Sequence, residues 1–232
     1  MRASGEAHGA PPRRTLYGRS RGRALRPGQE RLVAEVLPQF EISLDALGAG
    51  RAFAARPVEV WLEVGFGAGE HLIRQAKANP QIGLIGCEPF LNGVAAALAG
   101  IERESLTNVR LRRGDAQGLV EAAPEGCFSR VFILYPDPWP KRRHHKRRVI
   151  GEAMIAGLAR VMRREAELRF ATDIDDYAGW TLRRFLASPH FRWIAERADD
   201  WRLPWPDWRP TRYEAKALKA GRRSVYLTFV RL

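Results

Sequence analysis

Four acidic side chains stand where predicted β-strands end, and they are the first indication of chemistry in this chain. Glu63 lies in LEVGFGAGE, Glu88 in GCEPF, Asp115 in RRGDA and Asp137 in YPDPWP. Carboxylates accept hydrogen bonds from hydroxyl and amine groups, and they stabilise a nearby positive charge. These acids therefore suit a ligand that carries hydroxyl donors and a cationic centre.

A glycine-rich turn follows Glu63. Gly65, Gly67 and Gly69 allow the backbone to turn tightly and to approach a ligand closely, so Gly65 and Gly67 are expected cofactor contacts. The dinucleotide fingerprint G-x-G-x-x-G would need a glycine at position 70, where Glu70 stands, and Glu63 would bring negative charge next to a pyrophosphate. The turn therefore favours S-adenosylmethionine, which carries a sulfonium, an ammonium and no phosphate, over a nicotinamide cofactor.

The next two acids have the positions expected for nucleoside recognition. Glu88 follows Gly65 by twenty-three residues, the region where a carboxylate accepts hydrogen bonds from ribose hydroxyls. Asp115 is a candidate acceptor for the exocyclic amine of adenine. Either acid alone could be a turn residue or a helix cap. Three acids at the ends of three consecutive strands together favour an S-adenosylmethionine-dependent methyltransferase.

Alternating apolar and helix-like segments are expected to hold these residues in place. Strands are predicted at residues 58–64, 82–87, 109–111, 130–135, 168–171, 191–195 and 225–230. The pattern predicts a Rossmann-like α/β fold with a seven-stranded, mostly parallel sheet and helices on both faces. Ligands of such sheets bind beyond the carboxyl ends of the strands. We expect a basic, flexible leader over residues 1–27 and a single methyltransferase domain over residues 28–232.

The net charge of +13 is concentrated in two segments. Residues 1–31 contain eight arginines against Glu6 and Glu30, and residues 139–148 contain six cations and no acid, so each segment carries +6. The remainder is then nearly neutral in total. A localised positive field predicts a polyanionic partner. The structural alternative is a solvated charged face or tail, above all for the N-terminal segment.

Several classes of protein are disfavoured. No apolar run approaches the ~18 residues of a membrane span, and the N-terminus lacks the apolar segment of a signal peptide, so we expect a cytoplasmic protein without a membrane partner. Cys87 and Cys127 lack metal-ligand spacing, and the adjacent His144 and His145 diverge, so neither a disulfide framework nor a metal site is expected. Monomer and homodimer both remain open.

The stretch DPWPKRRHHKRR is the most specific motif in the chain. Together with LEVGFGAGE, CEP, ATDIDDY, TRYE and GRSRGRALRPGQERLVAEVLPQF, it closely resembles the bacterial tRNA (guanine-N(7)-)-methyltransferase family over residues 17–231. The resemblance implies an enzyme that transfers a methyl group from S-adenosylmethionine to the N7 atom of a guanosine in the tRNA variable loop.

The resemblance also implies roles for individual residues. Asp137 is implied to be catalytic and to contact the cofactor. The other implied cofactor-binding acids are Glu63, Glu88 and Asp115. The implied substrate contacts are Lys141, Asp173, Thr211, Arg212, Tyr213 and Glu214. The implied RNA-binding segment consists of Arg143, His144, His145, Lys146, Arg147 and Arg148.

Some of these residues have a structural interpretation as well. Thr211-x-x-Glu214 matches a capping box, and Asp173 precedes a predicted helix and is a candidate N-cap. The tryptophans of residues 201–208 are expected to pack rather than to stack on bases. Two other functions stay open: an exocyclic-amine nucleic-acid methyltransferase, disfavoured because Trp139 interrupts the prolines, and an inactive RNA-binding module, disfavoured because all four acids are present.

Overall fold

The computed structural model describes residues 20, 22–54 and 57–232. Most of the predicted leader, residues 1–19 and residue 21, lies outside the described residues. The part that follows contacts the domain: the Gly22 amide donates to the Asn92 side chain at 3.0 Å, and the Asn92 amide donates to the Arg23 carbonyl at 2.9 Å. The last residues of the predicted leader therefore lie against the beginning of a helix of the domain.

Seven strands form one sheet in the order β3-β2-β1-β4-β5-β7-β6. The strands are β1 Glu59–Val64, β2 Ile82–Cys87, β3 Val109–Arg112, β4 Phe128–Leu134, β5 Met162–Thr172, β6 Phe191–Trp193 and β7 Val225–Arg231. Strands β1 to β5 pair in parallel, and β7 lies antiparallel between β5 and β6. The predicted seven-stranded, mostly parallel sheet is confirmed.

Strand β5 begins six residues before its predicted start. Its first part, Met162 to Glu167, reads MRREAE and has no apolar alternation that would mark a strand. Glu165 has a positive φ of 62°, and the β4–β5 register shifts between Phe128 and Arg130. An irregular, charged strand start of this kind is set by pairing with β4 rather than by side-chain pattern.

Helices cover both faces of the sheet, as predicted. The helical elements are α1 Pro27–Arg31, a π-helical turn Leu32–Val36, α2 Leu37–Phe40, α3 Leu44–Gly48, α4 Glu70–Ala78, α5 Leu91–Arg103, α6 Ala116–Ala122, a 3₁₀ helix Arg142–Arg147, α7 Glu152–Val161, α8 Asp175–Leu186, α9 Asp199–Arg202 and α10 Arg212–Lys219. Among the described residues, no helix is both long enough and apolar enough to span a membrane.

Two apolar layers hold this arrangement together. On one face, Leu158 of α7 and Phe185 of α8 pack with sheet residues such as Phe170. On the other face, α4 and α5 pack over β1 and β2 through residues such as Leu72 and Leu98. Since buried strands surround β1 on both sides, the carboxyl ends of β1 to β4 are held rigidly at one edge of the sheet.

Candidate active site

A cavity of about 720 Å³ opens at the carboxyl edge of the sheet. It lies where the strand order reverses between β1 and β4, which is the usual ligand position in open α/β sheets. Its lining includes Gly65, Gly67, Glu88, Asp115, Asp137, Trp139, Lys146, Arg147 and Tyr213. A second cavity, of about 580 Å³, lies at the opposite edge and contains none of the predicted site residues. The first cavity is therefore the candidate site.

The glycine turn forms one wall of this cavity. Gly65, Gly67 and Gly69 all have positive φ, at 74°, 56° and 79°. A β-carbon on Gly69 would lie 2.7 Å from that of Ala97, so this position also allows α4 to approach α5 closely. The expected tight turn is present, and its backbone lies at the cavity.

Glu88 is held by two backbone donors. Its carboxylate accepts hydrogen bonds from the Gly67 amide at 2.8 Å and from the Phe90 amide at 2.9 Å. Burial raises the pKa of Glu88, and the nearby charges of Asp137 and Glu63 act in the same direction, against these hydrogen bonds. The side chain is thus a pre-oriented acceptor that lines the cavity, and additional donors from a ligand would favour its ionised form.

Asp115 both lines the cavity and caps a helix. It is the N-cap of α6, and its carboxylate accepts from the Gly118 amide at 3.4 Å. The capping role anticipated as an alternative for this acid is therefore present. Because the bond to Gly118 is long and involves one oxygen, the carboxylate keeps acceptor capacity for a ligand.

Glu63 lies behind the glycine turn rather than in the cavity lining. It is 3% exposed, and one carboxylate oxygen lies 2.7 Å from His71 Nδ1. The His71 ring packs against Phe132 and Trp208, with ring centroids 4.6 and 5.6 Å away. Glu63 thus does not line the cavity, whereas Gly65 and Gly67 of the turn that follows it do. His71 was not anticipated, because a single histidine on a helix gives no signal in the sequence.

The loop that carries Asp137 has an unusual backbone. Tyr135 and Trp139, on either side of it, have positive φ angles of 49° and 45°, a conformation that costs free energy for side chains of this size. Asp137 is exposed and makes no hydrogen bond or ion pair with any residue that the structure describes. An unpartnered carboxylate on a strained loop is available for a ligand.

Arg148 fixes this loop from behind. Its Nε donates to the Pro138 carbonyl at 2.8 Å, and its guanidinium pairs with Asp176 of α8. The charge lies between the rings of Tyr177 and Trp180, at 4.7 and 4.9 Å from their centroids. The Arg148 side chain is 0% exposed. The structure therefore does not present Arg148 on the surface with the rest of the predicted RNA-binding segment.

The other members of that segment differ in their exposure to solvent and in their contacts with aromatic rings. Arg143 and Lys146 are exposed, as are Lys141 and Arg142 just before the segment. Arg147 lies over the Trp139 ring at 5.0 Å, and His144 meets the same ring edge-on at 6.0 Å. Partial desolvation, followed by the charges of the neighbouring cations, lowers the pKa of His144.

His145 and Asp173 both contact other side chains of the protein. His145 packs edge-on against Trp180, with centroids 5.2 Å apart. Asp173 accepts from Arg222 Nε at 2.6 Å. The possibility that Asp173 caps the following helix is wrong, because α8 begins at Asp175 with Ile174 as its N-cap.

The TRYE motif builds the beginning of α10. Thr211 is its N-cap and accepts from the Glu214 amide at 3.3 Å. Glu214 does not complete a capping box: its carboxylate is 6% exposed, accepts from Trp208 Nε1 at 2.8 Å and pairs with the Tyr226 hydroxyl. The Glu214 side chain turned inward because these two buried donors lie beneath the helix, which the local sequence does not show.

Arg212 and Tyr213 lie on the outer side of α10. Arg212 pairs with Glu70, the residue that replaces the third glycine of the dinucleotide fingerprint. The Tyr213 ring stands 3.5 Å from the place where a Gly67 β-carbon would be, and it lines the cavity. The helix is thereby attached to the glycine turn.

The tryptophan-rich loop packs, as expected. Trp205 and Trp208 meet the Tyr226 ring at centroid distances of 5.3 and 6.0 Å, and Trp205 Nε1 donates to Thr228. Within the described part of the chain, no three His, Cys, Asp or Glu side chains are grouped as a metal site would need.

Comparison with known proteins places this architecture in a family. A family model described as a putative methyltransferase matches residues 57–227. A tRNA (guanine-N(7)-)-methyltransferase of Rhodopseudomonas palustris (strain BisB18) is 49% identical over 229 residues, which cover 97% of this chain and 91% of that protein. A protein of the same name from Ruegeria sp. (strain TM1040) is 46% identical over 99% of this chain and 92% of its own length.

Solved structures are similar in fold at low sequence identity. A 16S rRNA (adenine(1408)-N(1))-methyltransferase from Catenulisporales acidiphilia, solved with SAM, superposes with a TM-score of 0.51 at 16% identity, covering 82% of this chain and 92% of that one. A putative methyltransferase from Streptococcus mutans in complex with SAH gives 0.50 at 10% identity, covering 82% and 95%. These likenesses confirm the Rossmann-like fold. With near full-length identity close to one half, the chain belongs to the tRNA (guanine-N(7)-)-methyltransferase family.

Proposed function

We propose that this protein transfers a methyl group from S-adenosylmethionine to the N7 atom of a guanosine in the variable loop of tRNA. Family membership supports the reaction and the substrate class. The observation that carries the proposal is the Asp137 carboxylate, which has no hydrogen-bond or ion-pair partner among the described residues and lines one cavity with Glu88, Asp115 and the exposed Lys146. A tRNA substrate also supports the expected cytoplasmic location.

The glycine-turn half of the cavity fits the cofactor. The volume of the whole cavity, about 720 Å³, is within the range of about 300–1,000 Å³ that small-molecule sites have. Glu88 would accept from the ribose hydroxyls and Asp115 from the adenine amine, while Gly65 and Gly67 would contact the cofactor through backbone atoms. Glu63 would support the ammonium side through the turn. When bound, S-adenosylmethionine supplies a methyl group activated by a positively charged sulfur.

The Asp137 half of the cavity fits a guanine base. The N7 atom of guanine has a free lone pair at neutral pH, so the protein need not remove a proton from it. Asp137 would accept from the ring N–H and amino donors and would favour the positive charge that develops on the purine. Trp139 offers a flat surface beside it. The role of Asp137 is thus to orient the base and to stabilise charge.

The remaining substrate residues divide into two groups. Lys141 and Tyr213 are exposed, and Tyr213 lines the cavity, so we propose that both touch the substrate directly. Asp173, Arg212 and Glu214 are engaged by Arg222, Glu70 and Tyr226. We propose that these three, with the Thr211 cap, position α10 and the adjoining loop beside the bound nucleoside.

Binding of the tRNA backbone would rest on exposed cations. Arg143 and Lys146 are exposed members of the cationic segment, residues 139–148, and Lys146 lines the cavity. Neutralising phosphates there would give salt-dependent affinity. Arg147 and His144 would act near Trp139, and His145 would pack behind them. Arg148 would act as a positioning residue for the Asp137 loop instead of a phosphate contact.

The test is incubation of the protein with methyl-labelled S-adenosylmethionine and unfractionated tRNA, followed by nucleoside analysis. We expect the label in 7-methylguanosine. A tRNA transcript with the variable-loop guanosine changed to adenosine, matched to the unchanged transcript, locates the site and should accept no label. Label in a nucleoside methylated on an exocyclic amine would overturn the proposed reaction, and equal labelling of both transcripts would overturn the variable-loop site.

A further inference from the structure

The outward face of α10 carries a stripe of cations. Arg212, Lys216 and Lys219 are spaced i, i+4, i+7 and therefore lie along one side of the helix, whereas Glu214 and Ala217 are buried on the opposite side. Lys216 and Lys219 are exposed and make no hydrogen bond or ion pair with the described residues. Side chains of like sign at this spacing repel each other, whereas cations in the last turn, such as Lys216 and Lys219, favour the helix dipole. These opposing effects are of similar size, and the stripe leaves a positively charged surface on this face.

The segment around this stripe is the third basic region of the chain. Residues 208–232 contain seven Lys and Arg residues and one acid, Glu214. Glu214 is buried and bonded to Trp208 and Tyr226. The total charge conceals this region because acids elsewhere in the chain offset it. No acidic side chain of this segment is therefore available to neutralise the surface stripe.

The stripe begins at the mouth of the cavity. Tyr213, which precedes Lys216 by one turn, lies against Gly67 and lines the cavity, and Arg212 pairs with Glu70. At a rise of ~1.5 Å per residue, Lys216 and Lys219 lie roughly 5 and 9 Å further along the helix axis than Tyr213. The cationic segment contributes Lys146 and Arg147 to the same cavity. Positive surface thus adjoins the cavity on two separate elements.

We propose that the outward face of α10 binds RNA phosphates that flank the nucleoside in the cavity. This inference rests on the proposed function and extends it, because a guanosine held in the cavity has phosphates on both its 5′ and 3′ sides. The cationic segment and α10 would each hold one side. Such contacts position the backbone and read no base.

The test is the double variant Lys216→Ala/Lys219→Ala, with tRNA binding measured over a series of KCl concentrations. Loss of two phosphate contacts should reduce the slope of log K against log salt by about 1.4–1.8 and weaken binding roughly tenfold or more at 0.1 M salt. The matched control is Arg163→Ala/Arg164→Ala, which removes two exposed cations at the opposite edge of the sheet. Its slope should stay that of the unmodified protein.

Two further measurements separate the possible outcomes. The variant Lys216→Arg/Lys219→Arg should restore the slope if charge is what matters, and a thermal unfolding midpoint unchanged in the alanine variant excludes melting of α10. An unchanged salt slope in the alanine variant would overturn the proposal, as would an equal loss in the control. Since binding needs no turnover, failure of 7-methylguanosine formation in the unmodified protein would count against the proposed function alone.

Discussion

The two halves of the cavity are built in different ways. The acids of the cofactor half are held by nearby backbone: Glu88 accepts from Gly67 and Phe90, and Asp115 caps the helix that it begins. Asp137 in the other half has no such partner, and its loop is held by Arg148, eleven residues later, which is anchored in turn on α8. In the cofactor half, backbone amides thus hold the acids directly, whereas in the substrate half a buried side chain, Arg148, holds only the loop that carries the acid.

The largest expected effect comes from the unpartnered acid. Asp137→Asn keeps the shape of the side chain but removes the charge that would support the cationic purine, so we expect kcat to fall on the order of 10²–10³-fold. Cofactor affinity should fall much less, because Glu88 and Asp115 remain. Single-turnover methylation and calorimetric titration measure the two quantities. Asp45→Asn on α3 is the control, and a near-normal rate for Asp137→Asn would contradict the assigned role.

The next effect tests the tertiary support of the substrate half. Arg148→Lys keeps the charge but loses the planar fork that joins the Pro138 carbonyl to Asp176. We expect kcat to fall about 10- to 100-fold through displacement of Asp137, with little change in the salt dependence of tRNA binding. Substitution of the exposed neighbours Arg143 and Lys146 should have the opposite pattern: a smaller salt dependence of tRNA binding and an unchanged kcat.

Arg143→Ala/Lys146→Ala is therefore the comparison for Arg148→Lys. It should lower the salt slope by about 1.4–1.8 and leave kcat at saturating tRNA unchanged. If Arg148→Lys instead lowered the slope while its kcat stayed normal, Arg148 would be a phosphate contact and the positioning role would be refuted.

A smaller effect is expected in the cofactor half. Glu88→Gln weakens the acceptor for ribose hydroxyls and for the amides of Gly67 and Phe90. A loss of about 2 kcal/mol, or roughly 30-fold in affinity for S-adenosylmethionine, follows from weakening hydrogen bonds to a charged group. The kcat at saturating cofactor should change little. Glu104→Gln, on the far surface, is the control, and an equal loss of affinity there would refute the assignment.

The smallest expected effect is the release of protons from Glu88 when the cofactor binds. Burial raises the pKa of Glu88, so as the pH falls this carboxylate takes up a proton in the free protein earlier than an exposed glutamate does. Ribose donors favour the carboxylate, so cofactor binding should release a fraction of a proton, and affinity should weaken as the pH falls. Titration in two buffers of different ionisation enthalpy measures the release. It should vanish in Glu88→Gln, and persistence there would assign the proton to another group.

The glycine turn and the acids near strand ends were predictable because each lies at or just after the carboxyl end of a short strand that the sequence pattern marks. The alternation of strands and helices along the chain predicts which residues lie at the carboxyl edge of the sheet. The closely spaced glycines predict the turn, and they do adopt positive φ angles. Asp115 shows the limit of this approach, since the same residue caps α6 and lines the cavity. Local sequence does not distinguish two roles that occur together.

Residues of the cationic segment were not separable by sequence. Arg147 and Arg148 are adjacent and identical in type, yet Arg147 lies over Trp139 at the cavity and Arg148 is buried between Tyr177 and Trp180. The burial of Arg148 requires aromatic rings from α8 and an acid to pair with it, and these come from nearly thirty residues away in the chain. Charge counting alone therefore treats both as surface cations.

The sheet, the edge at which Glu88, Asp115 and Asp137 line one cavity, and the family could all be predicted from the sequence, because apolar alternation and dense motifs are properties of contiguous residues. Which charged side chains are available to a ligand became clear only from the three-dimensional contacts. The tertiary structure turned Glu214 inward to Tyr226, paired Asp173 with Arg222, buried Arg148 and left Asp137 and Lys216 exposed. The physical reason is that the availability of a charge depends on burial and on partners distant in the chain.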